Sequence, residues 1–181
     1  MAQNSAYTSV KIIPKALKMF SFRGRNLDYG GGKWETATTY LRNNHNCENI
    51  VVDPFNRSQE HNFAMLSKAE KDGIDSITCL NVLNVIKSAN ERETLLDILR
   101  MRSTINRIHH GTTPIIIIQV YEGDKTANAD VQTCMKAKDY IPEIANSFPE
   151  WSIKRKGNVI IVFRAEHCRT WEHISHPYIA M

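Results

Sequence analysis

Three consecutive glycines, Gly30-Gly31-Gly32, follow the short extended run 25–29, and a helix-compatible run, 35–43, begins soon after them. A strand, a tight turn and a helix in that order read as a cradle for a nucleotide or cofactor, the alternative being an ordinary strand-to-helix loop. Glycines let the backbone take positive φ and let a ligand approach bare peptide. The start of the next helix adds unpaired N–H groups and the positive end of a dipole. Two acids extend the pattern. Asp28 stands two residues before the first glycine. Asp53 closes a second apolar run, Ile50-Val51-Val52. It lies about 20 residues further on, where an acid accepts hydrogen bonds from ribose hydroxyls in doubly wound folds. The competing role for Asp53 is a turn or helix cap, since Pro54 follows it.

Other candidates fall at the carboxyl ends of later strands, where open α/β sheets bind ligands. Asn81 and Asn84 follow the run 75–80, with Asn81 placed to contact a cofactor and Asn84 to face a substrate. Helix capping is the other role for an asparagine there, and at least one of the two is expected to take it. Tyr121 and Glu122 follow the strongly apolar run 113–120. Glu122 is a candidate proton acceptor, and the ring of Tyr121 a candidate wall of the pocket. His167, Cys168, His173 and His176 match no standard zinc spacing, so no metal site is expected. The chain holds no Walker loop, no Gly-x-Ser-x-Gly elbow and no Cys-x-x-Cys.

The segment Asp28-Tyr29-Gly30-Gly31-Gly32-Lys33 resembles the first motif of class I S-adenosylmethionine-dependent methyltransferases, an acid-x-Gly-x-Gly run. Trp34 departs from it, standing where many members carry a third glycine. The resemblance extends over 25–163, through the Asp53-Pro54 pair and the run Asn81-Val82-Leu83-Asn84-Val85-Ile86. It implies a Rossmann-like methyltransferase fold: a mostly parallel sheet closed by a C-terminal antiparallel hairpin. It implies S-adenosyl-L-methionine as cofactor. The methionine end would lie on Asp28, Tyr29, Gly30, Gly31 and Gly32, with Asp28 toward the ammonium, directly or through water. The ribose would lie at Asp53 and Pro54, and Asn81 would touch the cofactor. A leading helix would border the pocket. Asn84, Tyr121 and Glu122 would face the acceptor. The family's usual third strand has no room between 53 and 75, because a helix uses that interval. That strand is expected to be missing.

The elements that must position these residues can be read in order. Val10, Ile13, Leu17 and Phe20 form one helical face, and Pro14 places the helix start near Ile13. A first strand 26–29 and helix 33–43 follow, then a strand 49–53 whose apolar run suits burial on both faces. Ser58 is the expected N-cap of a helix to Lys71. Helix 90–108 has Leu95, Leu96, Leu99, Ile105 and Ile108 as its apolar face and Gly111 as its stop. The run 113–120 reads as a central strand, 121–135 as a long loop, 138–148 as a helix, and 151–164 as a hairpin turning at Lys156-Gly157.

A chain of 181 residues with 42% apolar and 23% charged residues suits one domain spanning 1–181, with a polar start at 1–9 and a tail at 165–181. The net charge of +4 permits a polyanionic partner without requiring one. No signal core and no membrane-length apolar run is present, so no membrane partner is expected. Four scattered cysteines read as reduced thiols of a cytoplasmic protein. The expected activity is methyl transfer to an acceptor that is nucleic acid, protein or small molecule. The alternative is a protein that cleaves or only senses the cofactor.

Overall fold

The computed structural model describes residues 12–122, 133 and 135–164. Among the described residues six strands form one sheet: β1 (Arg25–Tyr29), β2 (Glu48–Val52), β3 (Ser76–Leu80), β4 (Ile115–Gln119), β5 (Ser152–Lys156) and β6 (Val159–Phe163), in the order β2-β1-β3-β4-β6-β5. The pairs β2·β1, β1·β3 and β3·β4 are parallel, and β4·β6 and β6·β5 are antiparallel. The α/β class, the mostly parallel sheet and the closing hairpin thus agree with the sequence reading.

Helices pack on both faces. On one face, α1 (Lys15–Met19) and α2 (Thr36–His45) bring Ala16, Leu17 and Leu41 against Ile117, Val159, Ile161 and Phe163. On the other, α3 (Gln59–Asp72), α4 (Ala89–His110) and α5 (Ile141–Ser147) bring Ala69, Leu95, Leu96, Leu99 and Ile144 against Leu27, Ile50, Ile77, Ile116, Ile118 and Ile160. Alternate residues of β4 and of β6 feed opposite cores, as the period of two requires. β4, with apolar side chains on both faces and a partner on each edge, is an interior strand as expected.

Several boundaries differ from the sequence reading. Helix α2 starts at Thr36 and not at Lys33, because Gly32 still has φ +75° and Lys33 and Trp34 carry the chain to the helix. Its stop is Asn46, left-handed at φ 49°, beyond Asn43. Ile108 is 74% exposed and does not belong to the apolar face of α4. The buried side chain there is Asn106, which donates to the Ile74 and Thr112 carbonyls and accepts from the Ile74 N–H. The helix expected at 138–148 is a 3-10 turn, Ala137–Tyr140, followed by α5. Ser58 caps α3 as expected, its Oγ accepting from the His61 N–H at 3.1 Å.

Helix α3 leads from β2 straight to β3 with no strand between them. β2 is therefore an edge, and α3 covers it. Asn62 accepts from the Asp53 N–H at 2.9 Å and donates to the Asp53 carbonyl at 3.0 Å, the pair of bonds a neighbouring strand would make. His61 Nε2 lies 3.1 Å from the Val51 carbonyl, and Lys68 bridges to Glu48. An unpaired strand edge is a template for association, and side-chain cover removes it.

Candidate functional site

Connections leave β1 and β3 in opposite directions: β1 leads to β2 on one side, and β3 leads to β4 on the other. A crevice opens outside the carboxyl ends of strands at such a reversal. The residues gathered there are Gly30 to Gly32 after β1, Asp53 after β2, and Asn81 and Val82 after β3.

The glycine turn is set by its neighbours. The Gly30 N–H continues the ladder to the Val52 carbonyl at 2.7 Å, and its φ is +82°. A Cβ on Gly30 would stand 2.4 Å from Val82 Cγ2, and one on Gly31 2.7 Å from Asp28 Oδ2. Gly32 donates to Asp53 Oδ2 at 2.8 Å, and its carbonyl accepts from Arg57 Nε at 2.9 Å. The Gly31 and Lys33 N–H groups make no hydrogen bond to the described residues. The turn is thus a bare-backbone cradle with donors to offer.

Asp28 lies under this cradle and not in its mouth. Its carboxylate is 3% exposed, accepting from Thr78 Oγ1 at 2.9 Å and Asn49 Nδ2 at 3.3 Å. Asn26 continues the ladder, donating to Thr78 and Asn49 and accepting from Ser76, all at 2.8 Å. Burial pushes the Asp28 carboxyl above its ordinary range, against the lowering effect of Thr78 and Asn49. Asp28 stands against Gly31, where a Cβ would lie 2.7 Å from its Oδ2, so the approach to an ammonium expected of it, direct or through water, would run from beneath the turn. Tyr29 points to the opposite face, half-buried on the core, with its phenol raised by burial.

Asp53 is 4% exposed, and both oxygens are engaged. Besides Gly32, it accepts from the N–H groups of Phe55 and Asn56, each at 2.9 Å, and from Asn56 Nδ2. It is a turn cap and a clamp between two loops, and a ribose diol would compete with these bonds. Pro54 beside it is exposed.

At the end of β3, Asn81 is left-handed at φ 61°, an uncommon state for a residue with a side chain. Gln119 holds it there: Asn81 N–H donates to the Gln119 carbonyl at 2.7 Å, and Gln119 Nε2 donates to Asn81 Oδ1 at 3.2 Å. The same Gln119 accepts from the Ala16 N–H at 2.8 Å, so α1 abuts this corner. Asn84 is buried away from solvent. Its Oδ1 accepts from the Tyr121 N–H at 3.2 Å, and its carbonyl from the Thr133 N–H at 2.8 Å. Neither asparagine caps a helix, contrary to expectation; Ser88 caps α4. Tyr121 is 47% exposed at the end of β4. Glu122 Oε1 accepts from the Ala137 N–H at 2.6 Å, so it caps the 3-10 turn. Its carboxylate is directed to backbone.

No family model and no curated protein matches the chain.

Sequence reasoning missed the ladder of Asn26, Asn49, Ser76 and Thr78, and it missed Val82 and Gln119. One signal was available: Asn26 and Asp28, and Ser76 and Thr78, alternate at i, i+2 in runs read as strands of a mostly parallel sheet, which helices cover on both faces. Such polar residues must satisfy one another. The histidine-rich tail and 123–132 lie outside the described residues. Among the described residues no group of metal ligands gathers, no helix is long and apolar enough to cross a membrane, and Cys47 and Cys79 are free thiols.

Proposed function

We propose that the chain binds S-adenosyl-L-methionine in the crevice at the β1–β3 reversal and transfers its methyl group to an acceptor, on a Rossmann-like methyltransferase fold without the third strand. The observation that carries this reading is the meeting of a bare-backbone glycine turn with a left-handed Asn81 at that reversal. The strand order, with α3 in place of a strand, also supports it. The residues fit the cofactor's methionine end: Gly30 and Gly31 leave no space for a Cβ, and the Gly31 and Lys33 N–H groups suit a carboxylate. When bound, the cofactor supplies an already activated methyl group, so positioning is most of the catalytic task. Asp28 and Asp53 hold the turn's shape. Asn84 fixes the backbone of Tyr121, whose exposed ring stands on the acceptor side.

The engagement of Asn84 and Glu122 in backbone bonds favours a second reading, in which the protein binds the cofactor and cleaves or senses it without methyl transfer. Calorimetry with S-adenosylhomocysteine tests the binding. A one-to-one site is expected, and binding of NAD with neither adenosyl ligand would overturn the family. Incubation with methyl-labelled donor and cell-extract fractions separates the readings: labelled acceptor, cleaved donor, or donor unchanged.

A further inference from the structure

The two faces of the sheet differ in charge. α1, α2 and the β5 residues that face them carry five basic side chains, Lys15, Lys18, Arg42, Lys154 and Lys156, and no carboxylate. On the other face α3, α4 and α5 carry seven carboxylates against six basic groups. The register puts Lys154 and Lys156 opposite Ile161 and Val159, on the face of α1. Val159 pairs with Gln119, so the hairpin turn stands at the same end of the sheet as the glycine turn. Lys15 reaches it: its Nζ is 3.6 Å from where a Cβ on Gly157 would be.

A groove of about 570 Å³ runs down the outer side of α2 on this face. It is lined by Ile13, Trp34, Thr36, Thr39, Tyr40 and Asn43, together with the carboxylate of Glu35. The Trp34 ring is 40% exposed, and the Lys33 ammonium lies 5.0 Å from its centroid. Glu35, beside it, is ion-paired with Arg57 at 2.5 Å. The exposed Trp34 ring and the half-buried Tyr40 ring, with hydroxyl and amide groups between them, suit splayed bases, and ammonium groups on the same face suit the phosphates. An acidic peptide would use the lysines but leave the aromatic groove without a role.

We infer that the α1–α2 face docks a single-stranded nucleic acid, with bases against Trp34 and Tyr40 and backbone toward the lysines of α1 and β5. Because Trp34 is two residues past Gly32, the docked strand reaches the crevice. Resting on the methyl-transfer reading, it follows that a nucleotide of that strand is the acceptor.

Fluorescence anisotropy with a labelled mixed-sequence DNA or RNA single strand of about 12 nucleotides tests this on the full chain. Binding is expected to weaken steeply with salt. Lys18→Ala with Lys156→Ala should lower the slope of log affinity against log salt by about 1.4, at about 0.7 for each phosphate left without its lysine. Trp34→Ala should weaken binding about tenfold at unchanged slope, and Trp34→Phe should restore most of it. The inference is overturned if no strand binds at low salt, if polyglutamate of equal charge competes as well as the strand, or if Trp34→Ala leaves affinity unchanged. S-adenosylhomocysteine binding without strand binding sinks this inference and leaves the cofactor reading. Strand binding without adenosyl binding keeps the docking face and sinks the methyl-transfer reading with its acceptor.

Discussion

Asp53 holds the glycine turn from the neighbouring strand: its Oδ2 accepts the Gly32 N–H at 2.8 Å, while Oδ1 caps the turn that follows β2. One carboxylate therefore joins the two loops that frame the crevice. This gives Asp53 a part in the stability of the free protein, besides any part in binding.

Asp53→Ala should lower the unfolding free energy of the ligand-free protein by about 1–3 kcal/mol, since it leaves a buried Gly32 donor without its partner. Asp53→Asn should lose less, because the amide oxygen still accepts. Urea denaturation measures this, and calorimetry on the same variants measures adenosyl affinity. An unchanged affinity for the folded fraction would show that Asp53 acts as a cap alone.

Gly30→Val should abolish adenosyl binding and also lower the melting temperature. Its Cβ would meet Val82 at 2.4 Å, and the residue would sit at φ +82°. Strain of this kind costs about 1–3 kcal/mol before the clash is counted. Gly31→Ala tests the cradle without the strained φ. It should push on Asp28 and Val51 and weaken binding at least as much as it weakens the fold. A Gly31→Ala protein with full affinity would sink the cradle.

The raised carboxyl of Asp28 makes a signed prediction about pH. A group whose folded-state affinity for protons exceeds its unfolded value stabilises the fold fully at pH below the unfolded range. That stability is lost as pH rises through the folded value. Asp28→Asn removes this dependence. The variant should gain stability relative to the parent as pH rises from the ordinary aspartate range toward neutrality. Urea midpoints of both proteins from acid to neutral pH measure the gap. A variant that loses stability relative to the parent as pH rises would overturn the assignment.

Asn62→Ala should expose the edge of β2. Removing the two bonds to Asp53 should cost about 1–3 kcal/mol and leave the strand open for pairing. Thermal denaturation gives the first effect. Sedimentation velocity at rising concentration gives the second, as association absent from the parent.

Local signals made much of this architecture legible. The apolar runs of β2, β3, β4 and β6, the Ser58 cap, the Gly111 stop and the Gly157 turn stand where residue types alone put them. Each is decided by propensity or backbone freedom within a few residues, which a sequence carries directly. The glycine turn and its neighbouring acids were legible for the same reason. What those acids do was decided by tertiary structure. Asp28 and Asp53 look alike in the sequence, each beside a turn after a strand. In the fold, one faces Thr78 and Asn49 beneath the turn, and the other clamps Gly32 from β2. The roles of Asn84 and Glu122 likewise depend on which backbone N–H, that of Tyr121 or Ala137, the folded chain brings within reach. Such pairings join residues distant in the chain, so neither period nor propensity records them. The contacts of Asp28 and Asp53 exist only once the sheet order has set β1 between β2 and β3, and that of Asn84 once β3 lies beside β4.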